Sequence, residues 1–228
     1  MQYLVMWLEG PLQSWGDHSK YGRRDTLTFP TKSAIYGMIL AAMGAKGDQA
    51  EFLAKLSSLS QQIEAYSTPN PIMDFHMVGS GYNEHDGWER LCIPKKQDGS
   101  AAVGGGAKMT YRYYLQDAKF AVIQEITDDL VPVIPNALCT PVYSPSLGRK
   151  SCVPSEFIYQ GIFRTQEEAK KRIETIAVSK SLQPIFSVSE QAIKNSDKVI
   201  LHDVPLRFGH FKKYKERVVF IKTYERET

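Results

Sequence analysis

At 228 residues, with 43% hydrophobic and 23% charged residues, the chain is long enough to bury a sizeable core and has the balance of an ordinary folded domain. Its formal net charge of +3 is too small to identify a polyanionic partner, so any argument for one rests on where the cations lie. Three widely spaced cysteines, Cys92, Cys139 and Cys152, argue against a disulfide framework and a zinc knuckle and suit a reducing compartment. No apolar run approaches membrane-spanning length, and the N-terminus lacks the basic lead and long apolar core of a signal peptide, so a cytoplasmic protein is expected.

Gln2 to Leu8 is short, apolar and rich in strand formers, and reads as a buried strand. It leads through a polar, basic loop into a helix that Pro30 and Thr31 open and Gly44 closes, with Ile35, Met38, Ile39, Ala42 and Met43 at helical spacing. A helix N-terminus carries unpaired N–H groups and partial positive charge, so acidic residues are its expected company. Here Lys32 sits beside Thr31 and Ser33, and Lys20, Arg23 and Arg24 precede them, with Gln13, Ser14, Trp15 and Tyr21 nearby. An anion in this corner, a phosphate above all, accounts for the crowding. A solvated basic loop whose Trp15 packs into the core accounts for it as well.

Asp48 and Glu51 have capping-box spacing, and Phe52, Leu53, Leu56 and Leu59 give a second helix one apolar face. Ile63 to Ser67 is strand-like before Pro69 and Pro71 interrupt it. Val78 to Lys108 is glycine-rich and short of aliphatics, so it cannot build its own core and reads as an inserted hairpin or arm, or as a loose loop. The residues from Gly104 do not satisfy the P-loop pattern, which excludes that nucleotide site. Thr110 to Ile126 reads as two strands joined at Gln116 to Ala118, with Arg112 among Tyr111, Tyr113 and Tyr114, a composition that can grip a splayed RNA base or simply bury alternate aromatics.

Asp128 to Leu138 gives a short helix weakened by Pro132 and Pro135. In Thr140 to Pro154, TPVYSPSLGRKSCVP, proline and glycine dictate a turn-rich loop, Gly148 permits close approach to a backbone, and Arg149, Lys150 and Ser151 add charge and donors. Thr165 to Ile176 is a capped amphipathic helix, and Ile185 to Val188, Lys198 to His202 and Val218 to Tyr224 are strand-sized. Arg207 to Arg217, RFGHFKKYKER, interleaves cations with aromatics, which suits a single-stranded backbone or a solvated loop anchored by its rings. The alternation of strands and helices favours an α+β sheet with helices on one face.

The ordered run GPLQSWG, SKYGRR and FPTKSAIYGMILAAMG resembles the opening of the Cas-five family of CRISPR-associated proteins, in the branch found in type I-E Cascade. Thr110 to Leu115 is similar to that branch's TWREYL-type segment, and Thr140 to Pro154 to its YTPYLGRRSCP-type segment, the counterpart of a glycine-rich loop that touches RNA. The resemblance implies a ferredoxin-like, RRM-type core of the RAMP superfamily in a single domain over residues 1–228, with a β-hairpin thumb inserted over residues 78–108. It also implies a non-catalytic subunit that caps the 5′ handle of CRISPR RNA, contacts backbone and large Cascade subunits, and meets target DNA only through the complex.

The RNA contacts expected on this basis are Lys20, Arg23, Arg24, Lys32, Ser33, Arg112, Arg149 and Lys150, with Trp15 and Tyr143 stacking on bases or supporting the loops. No cofactor, metal or catalytic residue is expected. The alternative is a metal-independent endoribonuclease trimming CRISPR repeat RNA, for which His18 in the basic loop is the best general base. The motifs of small-molecule enzymes, HExxH, CxxC, GxSxG and the dinucleotide fingerprint, are absent from the sequence.

Overall fold

The computed structural model describes residues 1–16, 22–78, 96, 98, 100 and 108–224. Its first strand, β1 (Gln2–Glu9), is apolar at nearly every position because both of its faces are covered. Leu4, Met6 and Leu8 face α1 (Lys32–Ala42), α2 (Ala50–Leu56) and α3 (Ile134–Cys139). Val5 and Trp7, with Ala121 and Ile123 of β7 (Lys119–Ile126), face Ala169, Ile173, Ile176 and Ala177 of α4 (Gln166–Ser179). Helices on one face was therefore the wrong expectation: α4 shields the opposite face, where Tyr66 also packs its ring on Trp7.

The large sheet is combined with these helices in an α+β arrangement and is antiparallel throughout its described pairings. With β4 (Gln61–Ala65), β8 (Tyr159–Phe163), β9 (Phe186–Ser189), β10 (Asp197–Arg207) and β11 (Lys213–Thr223), its order is β10-β11-β9-β4-β7-β1-β8. The segment β1, helices, β4, β7, α3, β8 thus runs β-α-β-β-α-β, with its strands adjacent in the order second, third, first, fourth.

Between β4 and β7 the chain leaves the large sheet to build a smaller one. Here β5 (Asn70–Val78) and β6 (Lys108–Gln116) pair over their full length. The other edge of β6 is shared by β2 (Leu12–Gln13) and β3 (Arg23–Arg24), the latter parallel to it. Pro71 lies inside β5 and does not end it, because β5 pairs only with β6 among the described residues and needs no donor on its free edge. The arm expected over residues 78–108 lies almost wholly outside the described residues.

The local signals succeed where a cap and a stripe coincide. Thr31 caps α1 by accepting from the Ala34 N–H, and Gly44 follows in the left-handed region at φ +70°. Thr165 and Glu168 close a reciprocal capping box on α4. The box expected at Asp48 and Glu51 does not form: Gln49 adopts a left-handed conformation at the cap, and α2 starts at Ala50. α3 starts later than expected, at Ile134, with Pro135 in its first turn, where a missing N–H costs nothing. β11 extends the expected strand back through the basic segment to Lys213, and β10 runs on to Arg207, so that segment is the end of a hairpin and not a loop. No helix among the described residues is long and apolar enough to cross a membrane.

Candidate nucleic-acid interface

Register on the small sheet sorts the arginines. Arg24 is the cross-strand partner of Arg112, and Arg23 of Tyr111. Neighbours in register share a face and successive residues alternate, so Arg24, Arg112 and Tyr114 lie on one side of the sheet and Arg23, Tyr111 and Tyr113 on the other. Arg23 accordingly stacks over the Tyr113 ring at 5.0 Å and pairs with Asp25 at 2.9 Å, the hydrogen bond that raises its pKa. The expectation that Arg23 joins Arg24 at one ligand is corrected by this alternation.

A third arginine is brought to the Arg24 and Arg112 face by the loop after α3. Leu147 and Cys152, both fully buried, pin its ends, and the N–H groups of Leu147 and Cys152 donate to the carbonyls of Cys152 and Arg149. The Ser14 N–H donates to the Leu147 carbonyl at 3.0 Å, and Gly148 at φ +94° passes so close that a Cβ there would fall 1.8 Å from the Ser14 carbonyl oxygen. This contact aims Arg149 at the sheet, where its Nη2 donates to the Arg24 carbonyl at 2.8 Å and its guanidinium lies 4.6 Å from the Tyr114 ring centroid. Its other terminal nitrogen, Nη1, is buried with no hydrogen-bond partner among the described residues.

The N-terminus of α1 forms the next wall, though not as its sequence suggested. Lys32 is 1% exposed and turns inward: Nζ donates to Glu190 Oε1 at 2.8 Å and to the Leu59 carbonyl at 2.6 Å, while burial lowers its pKa. Its backbone N–H donates to Asp203 Oδ2 at 2.8 Å, so the acidic company that the helix end lacks locally arrives from β10. Arg217 completes the cluster, holding Asp203 through both oxygens at 2.7 Å and Glu190 at 2.8 Å. Burial opposes the Arg217 charge, but these carboxylates outweigh it and raise the pKa. Lys32 is thus a core cation and not a ligand for an external phosphate. Thr31 and Ser33, whose hydroxyls lie 3.2 Å apart, remain at the cleft.

These walls enclose a cleft of about 620 Å³. Ser14 and Gly16 line it from the first loop, Arg24 and Arg112 from the small sheet, Thr31, Ser33 and Ala34 from α1, and Gly148 and Arg149 from the pinned loop. Phe208, Lys212 and Tyr214 close it from the β10–β11 end. Among the described residues, four cations line the space and no carboxylate does. Of the expected contacts, Arg24, Ser33, Arg112 and Arg149 meet here. The C-terminal trio was signalled by the alternation of basic and aromatic residues, but was not among the expected contacts.

The remaining expectations fall elsewhere. Trp15 is fully buried and donates to Gln13 Oε1 at 3.1 Å, so it supports the first loop and offers no ring for stacking. Tyr143 and Lys150 line a separate hollow of about 490 Å³ with Ala41, Ser144 and Ser146. Lys20 and His18 lie outside the described residues. His76 pairs with Asp74 on β5, whereas His202 pairs with Glu216 across β10 and β11, and His210 sits at that hairpin's tip.

The family described as CRISPR-associated protein (Cas_Cas5) matches residues 3–220. The chain is 29% identical over 173 residues to the CRISPR system Cascade subunit CasD of Escherichia coli (strain K12), covering 74% of each chain. A chain of a solved CRISPR RNA-guided surveillance complex superposes with a TM-score of 0.73 at 24% identity, covering 97% of this chain and 89% of that one. A second solved structure, that of a Cas protein, superposes with a TM-score of 0.62 at 22% identity, covering 97% and 94%.

Proposed function

Since this chain belongs to the CRISPR-associated protein (Cas_Cas5) family, we propose that it is the non-catalytic subunit of a cytoplasmic type I-E Cascade complex that caps the 5′ handle of the CRISPR RNA. The observation that carries this reading is the cleft in which Arg24, Arg112 and Arg149 meet, with no carboxylate among the described residues that line it. Like charges in register on paired strands repel, so Arg24 beside Arg112 is unfavourable until an anion lies between them. Phosphate oxygens relieve that repulsion, and small-molecule pockets are by contrast mostly apolar.

The ferredoxin-like, RAMP-type core is supported by the β-α-β-β-α-β run and its strand order. We read residues 1–228 as one such domain and residues 78–108 as its inserted thumb, with β5 and β6 as the base. In the complex, backbone and large subunits are its protein neighbours, and target DNA is reached through the paired guide. No cofactor or metal enters this function.

Arg24→Ala combined with Arg112→Ala is expected to weaken capture of single-stranded handle RNA and to lower the slope of log affinity against log salt by about 0.7 for each phosphate that is no longer neutralised. The RNA, incubated with the wild-type chain in chelator, is expected to emerge intact from a denaturing gel. A folded double variant with unchanged affinity and salt slope overturns the site, and specific cleavage by the wild-type chain overturns the non-catalytic role.

A further inference from the structure

We infer that the tip of the β10–β11 hairpin is a second jaw of the cleft, in which Lys212 takes a backbone phosphate and Tyr214 stacks on the adjoining base; this rests on the RNA reading above. Phe208, Lys212 and Tyr214 face the arginines across one cavity, although they come from the far end of the chain and from the other sheet.

The cations of this hairpin are not equivalent. Arg217 is consumed by Asp203 and Glu190, and Arg207 donates to the Phe211 carbonyl at 3.0 Å while its guanidinium lies over the Phe211 ring. Lys212 is exposed, lines the cleft and has no ion pair among the described residues. Tyr214 is 39% exposed, and Phe208 braces its ring edge-on at a centroid distance of 6.4 Å. A ring held at the edge and open to a cationic cleft is a platform for a base, whose stacking is tolerant of sequence.

The jaw is seated and not merely near. The Phe208 N–H donates to the Asp48 carbonyl at 2.8 Å, and Gly209 turns the chain at φ +78°. Between Leu201 and Val204 the pairing with β11 shifts register, and at this bulge Asp203 points inward among buried neighbours. There it grips Arg217 of β11 and the first N–H of α1 together. The root of the hairpin is thereby fixed to the helix end that carries Thr31 and Ser33, which holds the two jaws at one spacing.

The test titrates the full chain and its Lys212→Ala, Tyr214→Ala and Tyr214→Phe variants with 3′-labelled single-stranded RNA of about eight mixed nucleotides, and with an abasic strand of the same length. Lys212→Ala should weaken binding of both strands and reduce the salt slope by about 0.7. Tyr214→Ala should weaken the base-bearing strand by roughly five- to a hundred-fold, leave the salt slope unchanged and have no effect on the abasic strand. Tyr214→Phe should bind like the wild type. Wild-type binding by both alanine variants overturns the jaw if Arg24→Ala with Arg112→Ala still weakens binding, and if that arginine variant also binds normally the RNA reading fails with it. A Tyr214→Ala loss of equal size on the abasic strand overturns the stacking role.

Discussion

Arg217→Ala is expected to lower stability by about 3–5 kcal/mol, the usual cost of leaving a buried charge without its partner. The guanidinium satisfies both oxygens of Asp203, which is 4% exposed, and shares Glu190 with the ammonium of Lys32. Without it, two carboxylates would face one lysine whose own charge is already disfavoured by burial. Arg217→Lys should recover only part of the loss, because a single ammonium cannot reproduce the planar fork that spans Asp203 and reaches Glu190. Urea unfolding of the three proteins measures this directly. A loss below about 1 kcal/mol for the alanine variant would mean that water replaces the guanidinium, and that the network is not the seat of the hairpin.

Gly148→Val is the second large effect, at about 3 kcal/mol or more. Two penalties coincide: a β-branched residue at φ +94° is strained, and its Cβ would lie 1.8 Å from the Ser14 carbonyl oxygen. Because that oxygen belongs to backbone, relief requires the loop to lift, and Arg149 would move with it away from Arg24 and Tyr114. RNA affinity should therefore fall together with the melting temperature. Gly37→Ala provides the opposite control. Gly37 lies within α1 with open space around its missing side chain, so alanine should stabilise the protein by roughly 0.5–1 kcal/mol through helix propensity alone. Equal melting temperatures for Gly148→Val and the wild type would show that the loop is not held against Ser14.

Much of the fold is legible in sequence because its signals are local. Thr31 and the stripe from Ile35 to Ala42 lie within one helix, as do Thr165, Glu168 and the buried face of α4, so cap and periodicity agree without outside help. The strands β6 and β7 are delimited by the turn between them, and Asp117 adopts φ +50° there. The full length of β10 and β11 is not legible. Lys213 to Glu216 of β11 is polar and exposed, and the extension of β10 past His202 runs through the buried Asp203, Val204 and Pro205, so neither carries a clean alternation and only pairing with each other identifies them as strands.

The site divides along the same line. Arg24, Ser33, Arg112 and Arg149 were nameable from residue type, loop chemistry and family resemblance. Which of the neighbouring cations line the cleft was not. Arg23 and Arg24 are adjacent in sequence and part company because a strand alternates its faces. Lys32 looks free in its own segment, yet its partners Glu190 and Asp203 stand 158 and 171 residues away along the chain. Trp15 could stack or support, and its complete burial decides for support.

What this sequence determined alone was its helices, its central strands, its family likeness and the basic composition of three loops, all consequences of short-range propensity and pattern. The tertiary structure decided which charges neutralise one another and which line the cleft. Ion pairing depends on distances of a few ångströms between residues far apart in the chain, and those distances exist only once the sheets, the helices and the C-terminal hairpin have packed.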